Sequence, residues 1–401
     1  MARPRALVVA TTYPARPGDG TPGFVADLCG ELAKEFDVTV LVPAVPGAAA
    51  REVSPDASLT VIRHRYFPRR WETVADGAIL ENVRSRPATA LQVPFLMASQ
   101  WLAVRRAARR VRPDVIHAHW LIPAGVSARA LARRVPLVVT TLGGDLYALR
   151  GGVGRWLKRR VVAAARVVTV MNTDMAARVR ELGGADVRVM PMGARFSTVT
   201  PEPGGAGGPV RLLAVGRLVP KKGFDVLIEA LNSVPDAVLT IAGDGPAGGD
   251  LREAATGLGD RVTFAGQLGR TELDAAYAAA DVAVFPSVPA ASGDQDGLPV
   301  AMLEAMGSGL TVIASDLPGL NEAIEDGVSG MLVPAGDSAA LATAIGEVSA
   351  DAGKRRALGE AARVRAAAYS VEAVGAGYRK LLGEVAGAPA PQGGGARSPA
   401  P

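Results

Sequence analysis

Two short stretches place charged side chains at spacings that suit a polyanion. The first, Gly216-Arg217-Leu218-Val219-Pro220-Lys221-Lys222-Gly223, follows the apolar run Val210 to Val215. Arg217 and Lys222 stand five residues apart with a glycine before and after them, so two cations can meet a ligand that approaches the backbone closely. Such a pair neutralises a departing diphosphate. A solvated basic loop has the same composition, and that is the role expected of Lys221. The second stretch is Asp296-Gly297-Leu298-Pro299-Val300-Ala301-Met302-Leu303-Glu304. Gly297 and Leu298 are expected to open a helix after the run Val282 to Pro286, offering free N–H groups and a helix dipole to an anion. Glu304, two turns along, needs polar partners among its apolar and small neighbours. A ribose diol supplies them, and so does a nearby cation; the residues by themselves leave both open.

Other chemistries are disfavoured. The string from Gly243 to Gly248 fits G-x-G-x-x-G, but Pro246 has no N–H for a phosphate, and Asp260 precedes the next strand instead of ending it, so dinucleotide binding is not expected. Three histidines, His64, His117 and His119, and the one cysteine, Cys29, argue against a structural zinc site and exclude an internal disulfide. No D-x-D triplet is expected in the chain to hold a divalent metal.

The elements that must position these residues follow from the pattern. At ~150 residues per domain the chain has room for two or three domains, and 49% hydrophobic against 21% charged residues is a globular balance. Continuous β-branched runs alternate with helical stretches: Ala6 to Thr11, Val38 to Val42, Leu59 to Arg65, Val115 to His119, Pro136 to Leu142, Val167 to Met171 and Val187 to Met190. After a linker at Thr200 to Pro209 the theme restarts with Val210 to Val215, Ala237 to Ala242, Val262 to Gly266, Val282 to Pro286, Thr311 to Ala314 and Gly330 to Val333. Buried parallel strands read this way. An α/β chain of two doubly wound Rossmann-like domains facing across a cleft is predicted, with boundaries at 1–195 and 196–365, a helix at about 366–385 packing back on the first domain, and a disordered tail at 386–401.

A net charge of +5 is too weak to point to nucleic acid and suits anionic phosphates or an anionic membrane surface. The start MARPRALVVATTYP does not read as a signal peptide and no run is apolar enough to span a membrane, so a cytoplasmic location is expected, with contact at the inner face of the cell membrane left open. Arg63 to Trp71 is basic and aromatic. After Pro94, Met97, Trp101, Val104, Ala108 and Val111 recur at helical spacing beside Arg105, Arg106, Arg109, Arg110 and Arg112. That helix fits an anionic membrane, and it equally fits packing on its own sheet with the arginines in water.

GRLVPKKGFDVLIEAL, IAGDGP, VTFAGQL, AAYAAADVAVFPS and DGLPVAMLEAMGSGLTVIAS, in that order, resemble the C-terminal domain of the retaining GT-B glycosyltransferases of family 4. TTYPARPGDGTPGFVADLCGELAKEFDVTVLVP, RYFPRRWETVADGAILENVRSRP and DVIHAHWLIPAG resemble its N-terminal domain, the last two in the branch that builds bacterial cell-surface polysaccharides. The resemblance spans roughly residues 3 to 385. It implies retaining, metal-independent transfer from a nucleotide diphosphate sugar to a glycan or lipid-linked acceptor, with no other cofactor. Arg217 and Lys222 match the family's diphosphate cations. Its E-x7-E pair falls on Asp296 and Glu304, the first holding donor sugar hydroxyls and the second the ribose, although Asp296 is one methylene shorter than the usual Glu. His119 matches a histidine beside the reacting sugar carbon, and His117 is expected on the opposite side of the strand as a packed structural residue. Leu142 stands where the family often has His, so a contact there is lost. Gly23 matches a glycine facing the donor phosphates; Gly243, Gln267, Gly297, Leu298 and Pro299 are placed on the donor side with them. A nucleotide-sugar 2-epimerase and a non-catalytic two-domain sugar-binding protein are the alternatives.

Overall fold

A computed structural model describes residues 3–16, 21, 23–77, 79–197, 208–290 and 295–387. Among them, fourteen strands form two sheets. The first contains β1 (Arg5–Val9), β2 (Asp37–Pro43), β3 (Arg51–Val53), β4 (Leu59–His64), β5 (Val115–His119), β6 (Leu137–Thr140), β7 (Val167–Val170) and β8 (Val187–Val189), in the order β3-β4-β2-β1-β5-β6-β7-β8. The second contains β9 (Val210–Val215), β10 (Ala237–Ala242), β11 (Val262–Gly266), β12 (Val282–Phe285), β13 (Thr311–Ser315) and β14 (Met331–Val333), in the order β11-β10-β9-β12-β13-β14. Every pairing is parallel except β3 with β4. Helices cover both faces, which is why β6, β7 and β12 are buried at every residue and read as unbroken apolar runs.

Strand order reverses once in each sheet, between β1 and β5 and between β9 and β12. Connections leaving adjacent strands there diverge to opposite faces, and a crevice opens beyond the carboxyl ends. Arg217 and Lys222 follow β9, Asp296 and Glu304 follow β12, and His119 ends β5. The topology thus puts the chemistry-bearing residues at the two switch points.

Right-handed crossovers also fix which helices share a face. The chain passes from β1 to β2 through Phe24–Leu32, but from β4 back across to β5 through Val93–Val111, so these two helices lie on opposite faces of the first sheet. Val126–Ala128 and Gly152–Val162, on the way to β6 and β7, continue on the face of Val93–Val111. The helix Val371–Gly387 returns to the first sheet. Its Tyr378, Leu381, Leu382 and Val385 are buried in that sheet's core, and the Tyr378 hydroxyl bonds Met190 O at 3.0 Å. Arg379 binds the Glu31 carboxylate at 2.6 Å. The expected tail starts later than 386, since the helix continues to Gly387; 388–401 lie outside the described residues, as do 200–207 of the expected linker. The three-residue edge strand β3 is unanticipated, being half exposed and without an apolar run.

Candidate active site

Glycines bring the loops after β9, β10 and β12 together. Gly223, at φ +63°, turns the Pro220–Lys222 segment so tightly against Pro286 that a Cβ would overlap the Pro286 carbonyl oxygen. Gly243, at φ +143°, does the same against Gly216 O. Lys222 is thereby laid over Gly216, and its Nζ reaches Asp296 Oδ2 at 2.7 Å. Ser287 Oγ donates to the same oxygen at 2.9 Å, and Lys221 Nζ lies 3.6 Å from Oδ1. Burial alone would raise the Asp296 pKa, but Lys222, Lys221 and the Ser287 hydroxyl outweigh it and hold it at about 2. Lys221 is therefore an ion-pair partner at the site and not a residue of a solvated loop. Arg217 is half-buried, and its side chain has no hydrogen bond or ion pair among the described residues, which leaves a guanidinium ready for an anion.

Gly297 and Leu298 do not open the helix, which runs Val300–Gly307 with Pro299 as its N-cap. A residue before proline is kept out of the helical region, so the start shifts past Pro299. Glu304 consequently lies one turn along, not two. Its Oε1 accepts from Arg270 at 2.7 Å and its Oε2 lies 3.1 Å from the Tyr277 hydroxyl. Burial pushes its pKa above the ordinary glutamate range despite Arg270. Both oxygens thus already have protein partners, and a ribose would use their remaining lone pairs. Gly243 is not free for a phosphate, because its N–H donates to Gly266 O at 2.7 Å. Gly245 N is likewise held, by Asp244 Oδ1 at 2.7 Å. Gln267, exposed just past β11, sits at the edge of the sheet two strands from β9 and has no hydrogen-bond partner among the described residues.

Across the molecule, His119 is fully buried and neither ring nitrogen has a partner. Burial lowers its pKa to about 3, so the ring is neutral. His117 shares its side of β5, as residues two apart on a strand must, with the rings 4.2 Å apart; the expectation of opposite sides is wrong. His117 is nonetheless a packed residue, bonded to Thr140 Oγ1 at 2.7 Å and stacked on Tyr378. Trp120, next in the chain, has φ +72°, a strained value for a bulky side chain and a frequent mark of a functional loop. Asp145, three residues after Leu142, is a further residue of the site to which the sequence pattern assigns no role. Its Oδ2 accepts from Leu121 N at 2.6 Å and its Oδ1 from Thr141 Oγ1 at 2.8 Å, so it ties the loop after His119 to the loop after β6. Leu142 packs against the first core. Gly23 is the N-cap of Phe24–Leu32, with ordinary φ of −81° and room for a Cβ.

The two halves meet at this site. Asn172, buried at the start of the helix Thr173–Glu181, accepts from Met175 N and donates through Nδ2 to Gly297 O at 2.7 Å and Pro318 O at 3.2 Å. Glu322 accepts from both the N–H and the hydroxyl of Thr173.

One D-x-D triplet does occur, Asp294-Gln295-Asp296. Asp294 lies outside the described residues, and Asp296 is engaged by two lysines and a serine. Among the described residues no group of three His, Cys, Asp or Glu is placed to hold a metal ion.

Two doubly wound domains, the second with its basic and acidic loops together at the β9/β12 switch point, are the architecture of the GT-B class of glycosyltransferases. Solved structures agree: sucrose-phosphate synthase from Thermosynechococcus elongatus superposes with a TM-score of 0.76 at 23% identity over 95% of this chain and 99% of that one. Anabaena Alr3699/HepE, in complex with UDP and glucose, gives 0.70 at 21% identity over 94% and 99%. Residues 19–196 match the family model described as Glycosyltransferase Family 4, and 209–351 match Glycosyl transferases group 1. The D-inositol 3-phosphate glycosyltransferase of Mycolicibacterium smegmatis is 30% identical over 94% of this chain and 91% of its own length. The GDP-mannose-dependent alpha-(1-6)-phosphatidylinositol monomannoside mannosyltransferase of the same organism is 29% identical over 89% and 92%. The chain belongs to glycosyltransferase family 4, and it is a glycosyltransferase.

Proposed function

We propose that the protein moves a sugar from a nucleoside diphosphate sugar to a hydroxyl of a glycan or lipid-linked acceptor, with retention of configuration and without a divalent metal. The observation that carries this reading is the Lys222–Asp296 pair at the β9/β12 switch point, together with an Arg217 guanidinium that has no partner among the described residues. The two cations stabilise charge on the departing diphosphate, and the amino end of Val300–Gly307 adds partial positive charge. Asp296, ionised, accepts hydrogen bonds from the sugar, and Glu304 from the ribose. His119, buried and neutral, is assigned to orienting the sugar. The acceptor proton passes to the leaving phosphate oxygen while the new carbon–oxygen bond forms on the face where the old one breaks, so no enzyme nucleophile is required.

The acceptor is assigned to the crevice of the first sheet. A cavity of about 170 Å³ beyond β1 and β2 is lined by Thr11, Thr12, Tyr13, Arg16 and Asp76. Hydroxyls with one cation and one carboxylate suit a polyol that carries an anionic group, and the inositol-based relatives have such acceptors in their names.

Thermal unfolding in the presence of UDP, GDP or ADP tests the donor assignment, because a ligand of the native state raises apparent stability. One nucleotide is expected to raise Tm in the wild type and not in Lys222→Ala. No stabilisation by any of the three overturns the reading.

A further inference from the structure

The charge of this chain is unevenly placed. Residues 82–173 hold sixteen Lys and Arg against two acids, Asp114 and Asp145, whereas the rest of the chain holds twenty-eight against thirty-seven. A modest net charge thus conceals a strongly basic block within an acidic remainder. Neither acid offsets the block at its surface: Asp145 is buried and Asp114 sits before β5, accepting from Arg5 N.

The block folds into the helices on one face of the first sheet. Val126–Ala128 lies between Val93–Val111 and Gly152–Val162 and touches both. Arg106, Arg109 and Arg110 are exposed on the first long helix, Arg155, Arg159 and Arg160 on the second, and Arg133 and Arg134 between them. None of these eight has a carboxylate partner among the described residues. Arg160 instead lies over the Trp156 ring, 5.3 Å from its centroid, as Arg105 lies over Trp101 at 4.4 Å.

Large apolar side chains face water among these arginines. Phe95 is 56% exposed and Trp101 37% on the first helix; Val153 is 75% and Trp156 53% on the second. Arginines alone would keep both helices solvated, so water contact does not account for these side chains. Trp71 extends the patch, since Phe67 packs against both Trp71 and Phe95. Phe67 also packs on the small cluster of Tyr66, Val74, Ala75 and Leu96, and Ala75 lines the cavity beyond β1 and β2. The apolar rim is therefore continuous with the crevice given to the acceptor.

We propose that this face, formed by both helices together, docks on an anionic lipid bilayer. The aromatic and aliphatic tips enter the headgroup layer, their neighbouring arginines meet lipid phosphates, and the crevice opens beside the surface. Aliphatic groups as exposed as Val153 and Leu102 favour a bilayer over nucleic acid, whose backbone calls for cations and whose bases call for flat stacking rings. The sequence pattern points to Arg63 to Trp71 and to the first helix; GVGRWLKRRVV supplies the rest of the surface. This inference deepens the acceptor reading, but its test needs no turnover, so the two fail separately.

The test is co-sedimentation of the full chain with vesicles of phosphatidylcholine alone or mixed with phosphatidylglycerol. Binding to the mixed vesicles, weakened by salt, is expected. At ~1 kcal/mol per cation, each of Arg155→Ser and Arg159→Ser should lower the partition coefficient about fivefold. Trp156→Ser should also weaken binding, and all variants should keep their stabilisation by the nucleotide that stabilises the wild type. Absence of binding to the mixed vesicles, unchanged binding by a variant that carries both Arg155→Ser and Arg159→Ser, or tighter binding to a single-stranded oligonucleotide than to the vesicles overturns the proposal.

Discussion

Asp296 and Glu304 are two carboxylates of one site with opposite linkage to pH. The folded pKa of Asp296 lies below that of an unfolded aspartate, near 3.9, so its pairing with Lys222 stabilises the protein above about pH 4, and that contribution is lost as pH falls towards 2. Removing Lys222 should raise the Asp296 pKa and shift acid unfolding of Lys222→Met to higher pH, at a cost of roughly 2 kcal/mol or less at neutral pH because Lys221 and Ser287 remain. If the same amine serves the departing diphosphate, as proposed, donor turnover should fall ~100-fold or more. A variant with wild-type acid unfolding would mean that the pair is not formed in solution. Glu304 has the reverse sign: its raised folded pKa gives stability present at low pH and lost as pH rises through it. Glu304→Gln should therefore unfold no more easily at pH 7 than the wild type, yet bind the nucleoside diphosphate ~10-fold or more weakly if the ribose hydroxyls use this carboxylate. Calorimetric titration beside a melting curve separates the two effects. The Asp294-Gln295-Asp296 triplet makes chelation worth measuring as well. Activity is expected to survive EDTA, and loss of turnover restored by Mg²⁺ or Mn²⁺ would move Asp296 from an ion pair to a metal site.

At the scale of elements, Asn172 does two jobs that different substitutions can divide. It caps its own helix through Oδ1, and through Nδ2 it holds the loop that carries Asp296, on the other half of the molecule. Asn172→Ala should lose both, costing about 1 kcal/mol or more from the cap alone. Asn172→Ser keeps a cap oxygen but has no reach to Gly297, so it should melt closer to the wild type while losing as much kcat as the alanine variant. Equal activity of serine variant and wild type would show that the bridge does not position the loop. Much at this scale was legible in the sequence. Val115–His119, Val210–Val215, Ala237–Ala242 and Val262–Gly266 have the boundaries their apolar runs announce. What stayed hidden depends on partners distant in sequence. The Glu304–Arg270 contact, the Asn172 bridge and the role of Asp145 join residues from separate elements, and no local period encodes them. Gly243 looked like a ligand glycine because the need it meets, close approach to Gly216, arises only once two strands lie side by side.

The whole molecule is organised so that its last described helix completes its first core. Tyr378, Leu381, Leu382 and Val385 are fully or nearly fully buried there, and at ~1.5–3 kcal/mol for each large apolar side chain their removal would consume most of the stability a domain has. A chain ending at Ser370 is expected to lose cooperative unfolding of the first half while the second sheet keeps its own transition. Urea unfolding followed at tryptophan reports it directly, because Trp71, Trp101, Trp120 and Trp156 all lie in the first half. An unchanged tryptophan transition in the truncated chain would show that the returning helix is dispensable.

That return path also sets an order of events on the ribosome. Domains emerging from the ribosome ordinarily fold in the order they are made. Here the core of the half synthesised first is completed by residues 371–387, whereas β9 to β14 and the helices through Ala366 are made earlier and have their own core. The younger domain can settle before the older one, whose basic, aromatic surface is carried through that interval by an unfinished half.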